Sequence, residues 1–170
     1  MDLSKNYMSE EQLVVFNLLD EEFGVAINQV KEIIRVPEIT KIPNAHDYME
    51  GIINLRGKVI SVVNLKKIFG LSNPSYKDDV KIIIIEANEA IIGILVDDVQ
   101  EVTKINSENI EPAPENILGM GNSYIRGIGK INNDRLLILL ELFNILGSDE
   151  INDINNSCKN YNSTIASSPR

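Results

Sequence analysis

FGVAINQVKEI, residues 23–33, returns as IGILVDDVQEV, residues 92–102. Slid by 69 positions, Gly24 falls on Gly93, Val30 on Val99 and Glu32 on Glu101, and the apolar positions coincide throughout. At a slightly longer offset Tyr48-Met-Glu-Gly51 meets Tyr124-Ile-Arg-Gly127, and one residue further Leu65, Ile68 and Gly70 meet Leu142, Ile145 and Gly147. Matches that keep their order while the offset grows are the mark of a duplicated unit with loop insertions. Each copy spans roughly 60 residues, a size that is marginal alone, so the two are expected to pack together and leave a groove between them.

The unit is built of strands. Leu13–Leu18, Phe23–Ile27, Lys58–Val63, Val80–Ile85, Ile91–Val96 and Arg135–Leu140 are short and β-branched, and most are bounded by polar or glycine-bearing turns. Two segments, Leu65–Gly70 and Leu142–Gly147, space apolar residues three or four apart and end at a glycine, which predicts a short helix after a strand in each copy. The fold class is therefore mainly β. The predicted organisation is an N-terminal extension over 1–11, a domain over 12–147 made of pseudo-repeats at about 12–70 and 80–147, and a polar tail over 148–170. That tail is rich in Asn and Ser and too poor in apolar residues to repay the entropy of ordering, so it is expected to be disordered.

Composition narrows the function. The 170 residues carry a net charge of -9, which repels a phosphate backbone, and no basic stripe with interleaved aromatics offsets it. Nucleic acid is not the expected partner; protein is. Apolar runs such as Ile82–Ile85 fall far short of the roughly 20 residues of a membrane span, the first residues lack a secretory pattern, and Cys158 is the single cysteine. A cytoplasmic protein with no membrane insertion is expected, and the sequons at Asn155 and Asn162 are then incidental.

Catalytic groups are scarce. His46 is the only histidine and lies in a loop sequence, Pro43-Asn-Ala-His-Asp47; Cys158 lies in the polar tail with no local group to activate it. Asp97 and Asp98 with Glu101 lack the spacing of a calcium loop and read as a solvated acidic edge. Gly119, Gly121, Gly127 and Gly129 lack the Lys-Ser/Thr of a phosphate loop and read as turn glycines. A small β-barrel hydrolase would need a nucleophile beside a base, which one histidine does not supply. No enzyme activity, cofactor or metal is expected.

The stretch Ile52-Ile-Asn-Leu-Arg-Gly-Lys-Val-Ile-Ser-Val-Val63 reads as a hairpin whose turn is Arg56-Gly57, glycine giving the backbone freedom that a tight turn needs. Arg56 then projects into solvent, where its planar fork suits an acidic or carbonyl-rich partner, and it is expected to order that surface by pairing with Glu32.

Four motifs in order, Val30-Lys-Glu-Ile33, Ile42-Pro-Asn-Ala45, Gly51-Ile-Ile-Asn-Leu-Arg-Gly57 and Val62-Val-Asn-Leu65, resemble the V-x-E-I, I-P-N-A, G-x-x-N-L-R-G and P-V-x-D-L of the CheW family, the adaptors of bacterial chemotaxis. The resemblance covers roughly residues 12 to 147. Two departures stand out: Ser61 replaces the usual proline and Asn64 the usual aspartate, although asparagine caps a helix about as well. The resemblance implies two interleaved five-stranded SH3-like β-barrels around a shared core. It also implies a cytoplasmic scaffold, recruited to membrane-associated receptor arrays, that joins the cytoplasmic tip of methyl-accepting chemoreceptors to the regulatory domain of the histidine kinase CheA. Val30, Glu32, Gly51, Asn54, Leu55, Arg56 and Gly57 are the positions it implies for those contacts. The alternative is the CheW-like module of a CheV-type coupling protein, which continues into a receiver domain for which the polar tail leaves no room.

Overall fold

The computed structural model describes residues 10–71, 79–87, 90–113, 124–132 and 134–146. They form eleven strands: β1 (Glu10–Leu18), β2 (Glu21–Ala26), β3 (Val30–Arg35), β4 (Met49–Leu55), β5 (Lys58–Asn64), β6 (Lys81–Ala87), β7 (Ala90–Val96), β8 (Asp98–Asn106), β9 (Ile110–Glu111), β10 (Ile125–Ile131) and β11 (Arg135–Leu140). Two short helices follow the hairpins, α1 (Leu65–Ile68) and α2 (Leu142–Leu146). The termini, including the polar tail and Cys158, and the predicted turn glycines Gly119 and Gly121 lie outside the described residues.

The strands form two mixed sheets, ordered β8-β1-β2-β11-β10-β9 and β3-β6-β7-β5-β4. Neither sheet belongs to one copy of the repeat. β5 of the first copy lies parallel to β7 of the second, with Val62 opposite Gly93, and β11 of the second lies parallel to β2 of the first, with Leu139 opposite Gly24. The copies are thus interleaved by reciprocal strand exchange, and the duplication seen in the sequence is a two-fold relation in space.

Burial explains why the strands lack simple alternation. On β6, Ile83 and Ile85 face a core shared by the two sheets while Ile82 and Ile84 line the inside of the second sheet; on β1, Val14 and Phe16 face the shared core and Leu13 and Val15 the inside of the first. A strand covered on both sides is apolar at every position. In the shared core Phe16 stacks on Phe23 and Phe23 on Phe69 beyond α1, with ring centroids 5.9 and 6.0 Å apart.

Each sheet closes on itself as a barrel because the chain leaving one edge strand crosses to the far edge. After β3 the chain reaches β4, where Thr40 and Ile52 exchange backbone hydrogen bonds of 2.9 and 2.8 Å; after β8 it reaches β10 as β9. The crossing passes so close that only glycine fits beneath it. A Cβ on Gly51, whose φ is +149°, would lie 2.3 Å from the Thr40 carbonyl oxygen, and one on Gly127 would lie 2.6 Å from that of Glu111. Gly127 and Gly129, expected in turns, stand within β10: the Glu111 carbonyl passes over Gly127, while a Cβ on Gly129 would meet the Ile105 and Leu139 side chains at 2.8 and 3.5 Å.

Junctions between the copies are held by polar side chains. The ammonium of Lys66 on α1, 2% exposed, lies 2.6 Å from Asp97 Oδ1 at the β7–β8 junction, while Asp97 Oδ2 accepts the Leu19 N–H at 2.5 Å. Asp97, 15% exposed, is therefore part of an interior ion pair and not of a solvated acidic edge. At the other junction, Gln29 after β2 accepts the Leu142 N–H at the start of α2 (2.9 Å) and donates to Glu141.

Candidate functional site

The site is the mouth of the second barrel, where β3 passes the tip of the β4–β5 hairpin. Leu55 pairs with Lys58, so the turn between them is Arg56-Gly57, and both residues have positive φ, 53° and 85°. This is the backbone of a type I′ turn, whose twist matches that of the flanking strands. Glycine adopts it freely and arginine does not. The left-handed backbone of Arg56 was not legible in the sequence, because the expected turn gave that freedom to Gly57 alone. Asn54 Oδ1 accepts the Gly57 N–H at 2.7 Å, so the asparagine side chain is committed to the turn.

A bulge in β3 supplies the other half. The register against β6 shifts between Val30 and Glu32, with Val30 opposite Ile85 and Glu32 opposite Ile84. Ile85 belongs to the shared core and Ile84 to the barrel interior, so the bulge turns Val30 toward the former and Glu32 toward the barrel mouth. The extra residue, Lys31, pairs outward with Glu86 at 2.6 Å. Glu32 meets the guanidinium end-on: Arg56 Nη1 and Nη2 donate to Oε2 and Oε1, each at 2.8 Å. The expected pairing is present in its bidentate form. These hydrogen bonds hold the Glu32 carboxyl below the usual carboxylate range and raise Arg56 above its ordinary value. Arg56 is 72% exposed and Glu32 23%, so the guanidinium keeps most of its surface toward solvent.

The seven residues singled out in the sequence do not share one surface. Glu32, Asn54, Arg56 and Gly57 converge at the hairpin tip; Leu55 packs under it against the barrel core and Val30 against the shared core, both partly buried. Gly51 is buried beneath Thr40. Asn64 takes the position of the family's aspartate in full: its side chain caps α1 by accepting the Lys67 N–H at 3.2 Å and donates to Glu50 at 2.7 Å. His46 is exposed in its loop and stacks on Tyr48 at 5.2 Å. Among the described residues no group of three or more His, Cys, Asp or Glu is placed to hold a metal ion, and no helix is long and apolar enough to cross a membrane.

Sequence reasoning inferred a groove between the copies without its lining. A cleft of about 430 Å³ opens between the start of β1, the end of β8 and the turn after β2, lined by Gln12, Ala26, Ile27, Asn28 and Lys104 with Glu10 and Glu11 at the rim. Ile27 is an exposed apolar side chain, which the apolar run Phe23–Ile27 did not distinguish from core residues in the sequence.

The CheW-like domain family model matches residues 12–150. The chain is 31% identical over 151 residues to chemotaxis protein CheW of Klebsiella aerogenes, covering 89% of this chain and 90% of that one. It is 30% identical over 156 residues to chemotaxis protein CheV3 of Helicobacter pylori, of which it spans 50%. The crystal structure of the scaffolding protein TtCheW from Thermoanaerobacter tengcongensis superposes with a TM-score of 0.75 at 37% identity, covering 84% of this chain and 96% of that one.

Proposed function

The chain belongs to the CheW-like domain family, and from that premise we propose that it is a non-catalytic chemotaxis adaptor joining methyl-accepting chemoreceptors to the regulatory domain of the histidine kinase CheA. The observation that carries this reading is the Arg56–Glu32 clasp: a bidentate ion pair on a left-handed turn, mostly open to water, on a body whose core is otherwise closed. An exposed pair adds little to folding, whereas an arginine held in a fixed pose is suited to a directed contact with a partner's carboxylates or carbonyls. The kinase domain sits at this tip, on Glu32 and Arg56, with Asn54, Leu55 and Gly57 shaping the turn and Val30 and Gly51 holding β3 and β4 in place beneath it. The receptor's amphipathic helix occupies the cleft beside Ile27, whose apolar wall and charged rim fit the two faces of such a helix. The protein works in the cytoplasm at receptor arrays, without inserting in the membrane and without a cofactor. Similarity to CheV3 supports the related reading of a CheV-type coupling module.

Calorimetry with purified CheA regulatory domain tests this. Wild type should bind, and Arg56→Ala should weaken binding by at least about tenfold. Failure to retain either that domain or a receptor signalling tip at about tens of micromolar, where transient signalling contacts are detectable, would sink the adaptor reading.

A further inference from the structure

We propose that Asn54 is a positioning residue: it holds the hairpin tip in the left-handed form that presents Arg56, and does not itself touch the partner. This rests on the adaptor reading of the same tip. The argument comes from the two copies of the repeat. In the second copy the residue at the place of Arg56 is Asn132, and it has the same φ of 53°. Asparagine visits that conformation readily, because its short side chain bonds locally to the backbone. No clamp is needed there, and the residue at the place of Asn54 is Lys130, which pairs with Glu111 at 2.7 Å. In the first copy the left-handed position holds arginine, which gains no such local bond. Here an asparagine stands two residues earlier, and its Oδ1 takes the Gly57 N–H at 2.7 Å. The favoured type I′ pair is Asn-Gly. This hairpin carries arginine at the first central position, and the asparagine two residues earlier supplies a side-chain hydrogen bond to the turn from outside it.

The arrangement also explains why Asn54 is exposed with its acceptor turned back onto its own turn. A contact residue would present that oxygen outward. Held this way, the turn aims both Nη atoms at Glu32 and limits the arrangements that Arg56 must give up on meeting a partner.

The test uses the full chain, hydrogen exchange at the Gly57 amide, and calorimetry with the CheA regulatory domain. Asn54→Ala should speed Gly57 exchange by about tenfold and weaken binding by about fivefold, with Tm within about 2 °C of wild type. Asn54→Asp, which keeps the acceptor, should restore slow exchange and affinity. In an Arg56→Ala background, Asn54→Ala should cause no further loss. An equal loss in both backgrounds would overturn the proposal in favour of a direct contact by Asn54, and unchanged exchange in Asn54→Ala would overturn the clamp. Unchanged affinity in Arg56→Ala alone would refute the adaptor reading of the tip, and the exchange result would still decide whether Asn54 holds the turn.

Discussion

Arg56, in the turn of the β4–β5 hairpin, is clasped by one carboxylate and left open; Arg135, the first residue after the β10–β11 turn, is 32% exposed and clasped by two. Its Nε and Nη2 bond Glu22 on β2 at 2.8 and 2.7 Å, and Nη1 lies 2.7 Å from Glu101 on β8. Glu101 is the repeat's counterpart of Glu32 and also follows a bulge, between β8 and β1. The same backbone therefore carries two different electrostatic designs. In the first barrel the acid after the bulge closes a network across three strands; in the second it holds one arginine at an outer surface. Duplication supplied the frame, and differences at single positions give one end a closed ion network and leave the other end an open arginine.

The largest effects should come where the copies differ in the interior. Lys66 occupies the place that Phe143 takes in the second copy, where the aromatic ring is an exposed apolar side chain. Breaking the buried pair, by Lys66→Ala or Asp97→Ala, should cost about 3–5 kcal/mol in urea titrations. Phe143→Ala should cost well under half of that, because little of its surface is removed from water. Equal costs would refute the difference between the two helices.

Next in size are the glycines of the barrel closures. Gly51→Ala adds a Cβ 2.3 Å from a carbonyl at a positive φ, and Gly127→Ala adds one at 2.6 Å. We expect losses of about 3–4 and about 2 kcal/mol, read from thermal melts. The reverse order would mean that the second closure is the stiffer.

The arginines should then separate by readout. Arg135→Ala should lower Tm by several degrees, about 3–6 °C, and leave kinase binding unaltered, while Arg56→Ala should move Tm by about 2 °C at most and weaken binding. Similar Tm shifts for both would erase the contrast drawn above.

The smallest effect is in pH. Arg135 holds the Glu22 carboxyl below its ordinary value near 4.5, and Arg56 and Lys31 do the same to Glu32 and Glu86. A lowered folded value gives stability that is full above about pH 4.5 and is lost as pH falls through the lowered values. The melting temperature should decline below pH 4.5, with a shallower slope in Arg135→Ala, since Glu22 then titrates nearer its unfolded value. An unchanged slope would remove Glu22 from the acid response.

How much of this the sequence disclosed depended on what each signal measures. Self-similarity exposed the duplication, and Gly24, Val30 and Glu32 landed on structural equivalents to the residue. Strands covered on both faces, such as Ile82–Ile85, announced themselves by apolar runs. β3, β8 and β10 were missed as strands because each mixes charge or glycine into its pattern: Val30–Arg35 alternates at an edge, Asp98–Asn106 begins in acid, and Ile125–Ile131 carries two glycines. Which residues share a surface was not readable either. A one-residue bulge parts Val30 from Glu32, and the burial of Gly51 depends on a crossing strand eleven residues away in sequence. Asp97 looked like solvated acid because its partner, Lys66, belongs to the other copy.

Reciprocal pairing of β5 with β7 and of β11 with β2 has a consequence for the ribosome. While the N-terminal half emerges, β2 and β5 have bare edges whose partners are not yet synthesised. Neither half can mature first, and β11 must find β2 across most of the polypeptide before either barrel is complete. Such distant pairing makes for slow folding, and nascent chains with open strand edges are prone to stick to one another. Polysomes translating this protein would hold those edges exposed until the final hairpin leaves the exit tunnel, a window in which a holding chaperone would raise the yield.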